Sequence, residues 1–261
     1  MLIDRELYTA HIKHDEKLIK MRRLLDKIEM VLDNHVIESS DFLDPYERYL
    51  AISILNRFDE VEYIEYGGYE DAERKIIIIF PFYQVKEDIP LGLSFLKISG
   101  DLGDLSHKDY LGAILNLGID RNKIGDILVN GDYGFVIVKK EIGDFILYNL
   151  QKIGNKNTKI NYVSSKELII PEVQYKEIRE FLSSLRLDVV ISASYNLSRK
   201  DSMNIIKSGN VKVNWEPIDK PSLELKIGDI VSVRRYGRFM LYDIEGTSKK
   251  GRLRSIIRIL L

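Results

Sequence analysis

The chain of 261 residues has no cysteine. That excludes a disulfide framework and a thiolate metal site. Histidine is scarce, with four in the chain. His11 and His14 stand one turn apart in a helix-like segment beside Asp15, a spacing that can begin a metal site. The segment is charged and implies no third ligand, so no metal is expected. His107 lies at a helix start, and His35 falls in a loop. Long apolar runs are also missing. The longest, IIIIFPFY from Ile76, is too short to span a bilayer and is broken by Pro81. The opening MLIDRELYTAH is charged within a few residues and lacks the apolar run of a signal peptide. The expectation is a soluble, cytoplasmic protein with no membrane partner.

Catalytic signatures are equally absent. GDLGDL at 100–105 has no Lys where a phosphate loop needs one, no GxGxxG follows a strand, and GxSxG does not occur. No constellation of reactive groups converges, so no enzyme activity and no cofactor are expected.

What the chain does have is charge, unevenly placed. Lys and Arg number 39 against 40 Asp and Glu, a net of −1. From Leu182 to Leu261 there are 15 basic against 8 acidic residues, a net of +7, while the rest has 24 against 32, a net of −8. Such a division suggests one part facing a polyanion and another keeping the molecule in solution.

Apolar periodicity through Leu18, Met21, Leu25, Ile28 and Leu32 predicts a helix over 7–32. Asp44-Pro45-Tyr46-Glu47 has the cap, the first-turn proline and the capping-box acid of a second helix, running to about Arg57. Strand-like residues on either side of Gly67-Gly68 predict a hairpin. Its aromatics, Tyr63, Tyr66, Tyr69, Phe80, Phe82 and Tyr83, read as strand core rather than a base-stacking platform. From 76 to 165 the order is strand, helix (capped by Ser106 with Asp109), hairpin around Asn130-Gly131-Asp132, helix and strand. That order predicts an α+β, ferredoxin-like domain of the kind used by RNA-recognition modules. GFVIV at 134–138 is a plain strand. The domains expected are 1–75, helices and hairpin; 76–165, the RNA-recognition-motif-like α+β domain; 166–181, a connector; and 182–261, the basic tail.

The tail opens with two short helices. Ser198 caps the second, Asp201 closes its capping box, and Gly209 stops it. Met203, Ile205 and Ile206 form its apolar face; Arg199, Lys200 and Lys207 lie opposite. A helix start that collects backbone N–H groups and two cations suits a phosphate. Arg186 opens the preceding helix, where Asp188 caps or orients a basic neighbour. Lys212 and Asn214 share one side of the next strand, and Arg234, Arg235 and Arg238 add cations downstream. From the residues alone, a solvated charged hairpin and a phosphate-reading surface both remain open.

RLD, SR, IIKSGNVKVN, KP and IGDIV, in that order, resemble the S-four RNA-binding domain over about 182–245. Ser202 stands where Ala is usual, and Trp215 where a Gly often follows the VN pair. YGGYEDAERK at 66–75 and SHKDYLGAILNLGIDRNKIGDILV resemble the YlmH family of bacterial proteins across nearly the whole chain. The resemblance implies an N-terminal domain, an RNA-binding α+β middle domain and a C-terminal S-four domain. It implies no enzymatic activity. It implies binding to ribosomal RNA and transfer RNA on the large ribosomal subunit, with a role in rescuing stalled, split ribosomes. Arg186 and Arg199 become phosphate or base contacts, with Lys200, Lys207 and Lys212 widening the surface and Lys108, Arg121 and Lys123 as weaker candidates. A monomer off the ribosome is expected. The alternatives are an RNA-modifying enzyme of pseudouridine synthase type, which would carry its own Arg-Leu-Asp motif, and a cell-division adaptor.

Overall fold

The IIIIF run is apolar without alternation because the strand it forms is buried on both faces. In the computed structural model, which describes residues 3–261, the chain divides into two units, Met1–Pro171 and Glu172–Leu261. The first unit begins with α1 (Arg5–Thr9), α2 (Asp15–Asn34), β1 (Glu38–Ser39), α3 (Pro45–Leu55), β2 (Val61–Tyr66) and β3 (Ile76–Pro81). The single helix expected over 7–32 is therefore two. The chain turns after Thr9 and re-enters helix at Asp15 from an extended His14, with Asp15 and Glu16 in the favourable first turn. His11 and His14 lie in that break and share no helix face.

The antiparallel sheet β1-β3-β2 has β3 at its centre. Ile77 and Ile79 pack with Met21, Leu25 and Ile28 of α2 and Ile54 of α3. Ile76, Ile78 and Phe80 point the other way, toward Phe42 and Ile137. By pairing, the run from Ile76 thus belongs to the first sheet rather than opening the middle domain. Asp44 caps α3 in a full capping box: it accepts from the Glu47 N–H at 2.8 Å, and Glu47 accepts from the Asp44 N–H at 2.9 Å.

The middle region follows as β4 (Leu93–Ser99), α4 (His107–Leu115), β5 (Ile124–Asn130), β6 (Tyr133–Lys139), α5 (Lys140–Asn149), the two-residue pair β7 (Lys152–Ile153) and β8 (Lys156–Asn157), and β9 (Lys159–Val163). The sheet order β5-β6-β4-β9, antiparallel throughout, is the ferredoxin-like arrangement. α4 and α5 cover one face through Tyr110, Ile114 and Ile146 against Leu96, Ile98, Val136 and Val138. Phe95 and Ile137, on the other face, meet the first sheet. This is the face that RNA-recognition modules leave open for bases. Here its centre is covered. A Cβ on Gly68 (φ +97°) would lie 2.6 Å from the Phe95 ring, so only glycine admits this approach.

The second unit comprises β10 (Tyr175–Leu182), α6 (Leu187–Tyr195), α7 (Arg199–Lys207), β11 (Val211–Val213), β12 (Glu216–Pro217), β13 (Ile230–Val233), β14 (Gly237–Thr247) and β15 (Leu253–Leu260). Part of the segment expected as a connector is strand: β10 pairs with β15 along its whole length, from Tyr175↔Leu260 to Leu182↔Leu253. The sheet runs β10-β15-β14-β13-β11-β12. Leu182, Val211, Val213, Val231, Val233, Phe239, Leu241 and Ile257 turn one face toward Leu187, Val190 and Ile191 of α6 and Ile206 of α7. The opposite face carries no helix of this unit.

Candidate nucleic-acid interface

α6 starts under a strap of chain. Its first free N–H groups are satisfied from outside the helix: Leu187 donates to the Leu223 carbonyl at 2.8 Å and Asp188 to the Pro221 carbonyl at 3.1 Å. The KP element is thus a backbone acceptor for the helix start. α6 ends at Asn196, whose φ of +51° is tolerated by asparagine. Ser198 then opens α7, accepting from the Asp201 N–H at 3.1 Å and donating to its carboxylate at 2.7 Å. Ser198 therefore acts as a cap, worth about 1 kcal/mol. Ser202 is fully buried, and its hydroxyl donates to the Ser198 carbonyl at 3.1 Å. That explains why only a small residue fits there.

The turn between the helices brings Arg199 back over Asp188. Asp188 is fully buried and its carboxylate is shared: Arg186 donates Nε to Oδ1 at 3.0 Å and a terminal nitrogen to Oδ2 at 3.2 Å, and Arg199 donates to Oδ2 at 2.9 Å. Burial alone would raise the carboxyl pKa. The bonds from the two guanidiniums outweigh it and hold the group below the ordinary aspartate value. The arginine side chains remain 38 % and 59 % exposed. One buried anion thus fixes two cations whose remaining donors face solvent. Two arginines against one carboxylate leave a net positive charge in a held geometry, which suits phosphate oxygens.

Lys200 lies exposed on the first turn of α7, and Lys207 exposed on its last. Arg234 and Arg235 are exposed in the turn after β13, tied to the far end of α7 by the Arg234 N–H donating to the Asn210 carbonyl at 2.9 Å. Ile205, Asn210, Arg234, Arg235 and Tyr236 line a cleft of about 350 Å³ there. Cations therefore mark both ends of α7.

The other expected residues are placed differently. Lys212 alternates with the core residues Val211 and Val213 and pairs across to Ser232, itself opposite Arg238. Lys212 and Arg238 thus face the helix-free side of the sheet. Asn214 has left the strand. With φ +48° it forms a two-residue turn with Trp215 (φ +65°). Its side chain is spent on Asp229, at 2.8 Å, and on the Ile230 N–H, at 2.9 Å. In the middle domain Lys108 is exposed on α4. Arg121 is not: it donates to the Ile124 and Gly125 carbonyls. Burial, and next the Arg74 guanidinium, lower its pKa, though it stays protonated at neutral pH. Lys123 bridges Asp41 at 2.8 Å and Glu141 at 2.7 Å.

The YGGYEDAERK stretch is structural as well. Asp126 accepts from the Tyr69 hydroxyl at 2.8 Å, the Glu73 N–H at 2.7 Å and the Arg74 N–H at 3.0 Å. The Arg74 guanidinium reaches the Phe42 and Ile124 carbonyls. The motif locks the β2–β3 connection onto β5. No group of three or more metal-ligating side chains occurs among the described residues.

Three family models match successive stretches of the chain. Residues 16–83 match the family described as "YlmH, N-terminal", residues 85–167 that described as "Putative RNA-binding domain in YlmH", and residues 185–231 the S4 domain. A solved structure described as cell division protein ylmH from Streptococcus pneumoniae aligns over 60 % of this chain and 96 % of its own at 20 % identity, with a TM-score of 0.53, a likeness of fold. The ribosome-associated protein quality control protein P2 of Bacillus subtilis (strain 168) is 32 % identical over 246 residues, 94 % of this chain and 95 % of that protein. With full-length similarity and matching domains in the same order, the chain belongs to the YlmH family.

Proposed function

We propose that this protein is a non-enzymatic RNA-binding factor of the large ribosomal subunit, touching ribosomal RNA and transfer RNA during quality control of stalled translation in the cytoplasm. It acts as a monomer off the ribosome, with residues 182–261 as its principal RNA-binding domain. The observation that carries this reading is the Asp188 clamp, which presents Arg186 and Arg199 together at the start of α7. The full-length similarity to a protein named for ribosome-associated quality control supports the setting. Lys200 lies on the same turn as Arg199, and Lys207, Arg234 and Arg235 extend the surface along the helix. The geometry of the Arg-Leu-Asp triplet speaks against a pseudouridine synthase reading. Asp188 is fully buried and both its oxygens are engaged by arginines, so it has no path to a substrate atom.

Binding of large subunits across a salt series tests the reading, because phosphate contacts release counterions and steepen the salt dependence. Arg186→Ala and Arg199→Ala should each weaken binding by about 1–3 kcal/mol. A flat salt response, or full affinity in folded variants, would overturn it. A new modification on RNA incubated with the protein, read by mass spectrometry, would replace it with the enzyme.

A further inference from the structure

The helix-free face of the C-terminal sheet holds a set of arginines laid against aromatic rings. The Arg258 guanidinium lies 4.3 Å from the centre of the Tyr175 ring and 3.1 Å from that of Tyr242. Arg254 lies 5.7 Å from the Phe181 ring, and Arg238 5.5 Å from the Trp215 ring. Strand register puts Tyr175, Phe181, Lys212, Arg238, Arg254 and Arg258 on one face, and the ring contacts bring Tyr242, at a bulge in β14, and Trp215, in the turn after β11, beside them. Glu177 is opposite Arg258, Phe181 opposite Arg254, Met240 opposite Arg258, and Lys212 and Arg238 flank Ser232. Tyr175, Phe181 and Tyr242 remain 45 %, 51 % and 40 % exposed. A strand whose outward residues are Tyr175, Glu177, Arg179 and Phe181 pays to leave two rings in water unless something covers them.

The charge on this face favours an anion. Arg179, Lys212, Arg254 and Arg258 outnumber Glu177, Asp243 and Glu245. Glu177 reaches Arg258 at 3.5 Å, too long for a strong hydrogen bond. Planar cations alternating with exposed rings, spread over neighbouring strands, match what unpaired bases and their phosphates require: π-faces to stack on and charges beside them. A folded duplex offers no free base faces. Most of the ladder also lies outside the S4 match at 185–231: Tyr175, Phe181, Arg238, Tyr242, Arg254 and Arg258 all fall beyond it.

We propose that this face is a second nucleic-acid site, separate from the Arg186–Arg199 clamp, and that it binds single-stranded RNA by stacking bases on the Tyr175–Arg258–Tyr242 sandwich and the Phe181–Arg254 and Trp215–Arg238 pairs. The proposal extends the RNA-binding reading above and rests on it. The two sites lie on opposite sides of one sheet, so the unit holds a structured RNA on its helices and an unpaired segment behind them.

Trp215 is the single tryptophan of the chain, and its ring lies 5.5 Å from the Arg238 guanidinium of this face. Titrating the full-length protein with a 12-nucleotide oligouridine carrying 4-thiouridine should quench its emission. Photo-crosslinks should map to Tyr175, Phe181 or Tyr242. Tyr175→Ala/Tyr242→Ala should weaken oligonucleotide binding about tenfold or more, consistent with the loss of stacked bases. Arg199→Ala should retain the quenching while losing structured RNA, so failure of the clamp and failure of the ladder are read separately. Crosslinks confined to α6 and α7 in the wild-type protein, which involve no variant and no question of folding, would overturn the proposal. So would quenching by RNA-free ribosomal proteins and not by the oligonucleotide, which would make the face a protein-docking surface.

Discussion

The first unit and the C-terminal unit both bury charged side chains, and they differ in how much of each ion pair stays in solvent. In the first unit cation and anion go inside together, Lys17 with Asp44 and Glu47. Lys17 is buried against Asp44 at 2.9 Å and Glu47 at 2.8 Å, Lys139 is buried against the Ser40 carbonyl at 3.0 Å, and Arg74 and Arg121 bond backbone carbonyls. In the C-terminal unit the anion goes inside and the cations ride on it. The first arrangement fastens helices and sheets together. The second leaves positive charge facing solvent in fixed positions. A count of Lys and Arg along the chain does not distinguish the two, because binding depends on which end of each ion pair is exposed.

The largest expected effect tests the fastening side. Glu47→Ala leaves the buried Lys17 with only Asp44 and should cost about 3–5 kcal/mol by urea unfolding. Its RNA affinity, measured where the variant is folded, should not change; a changed salt slope would break the contrast. Next in size is a pair of arginine variants. Arg121→Ala should lower stability by about 1–3 kcal/mol through its abandoned carbonyls and leave RNA binding intact. Arg199→Ala should weaken RNA binding by about 1–3 kcal/mol, and it should also lower stability because the buried Asp188 keeps Arg186 alone.

Acid should separate the carboxylates from the lysines. Burial alone would raise the Glu47 pKa, but the bonds from Lys17 and Lys20 hold it at about 2, below its unfolded value. Its contribution is therefore complete above an unfolded pKa of about 4.3 and is lost as pH falls from there toward 2. Asp188 has the same sign of shift, so the clamp also loosens on acidification and not on alkalinisation. Urea midpoints at pH 6 and pH 3 should converge in Glu47→Gln relative to wild type. The smallest effect is Ser198→Ala, about 1 kcal/mol in stability from the lost cap. Circular dichroism melting would check it, with Lys108→Ala, an exposed residue, as a control within about 0.5 kcal/mol.

Local chemistry was legible wherever the signal was local. The Asp44–Glu47 and Ser106–Asp109 boxes, the Ser198 cap with its Gly209 stop, and the two-residue hairpin at Gly131-Asp132 all stand where spacing placed them. The order of elements was enough to predict the ferredoxin-like domain. Less legible was anything that depends on a partner far along the chain. Arg121 and Lys123 looked like surface cations because their acceptors at Ile124, Asp41 and Glu141 are set by folding. The arginine–aromatic ladder is not legible in the sequence, because Tyr175 lies 83 residues before Arg258. YKEIREFL shows no period-two alternation either, because its apolar residues fall at Tyr175, Ile178, Phe181 and Leu182.

The sequence by itself determined the caps, the helix and strand periods, the domain order and the basic excess of the C-terminal region. These rest on propensity and on contacts within a few residues. Tertiary structure decided that β3 is sandwiched between two layers, that the middle sheet's face is covered, that Asp188 holds both arginines, and that Lys212 and Arg238 look away from the helices. Such outcomes turn on which face of a strand meets the core and on charges brought together across long loops. No local pattern encodes them, because burial is a property of the whole fold.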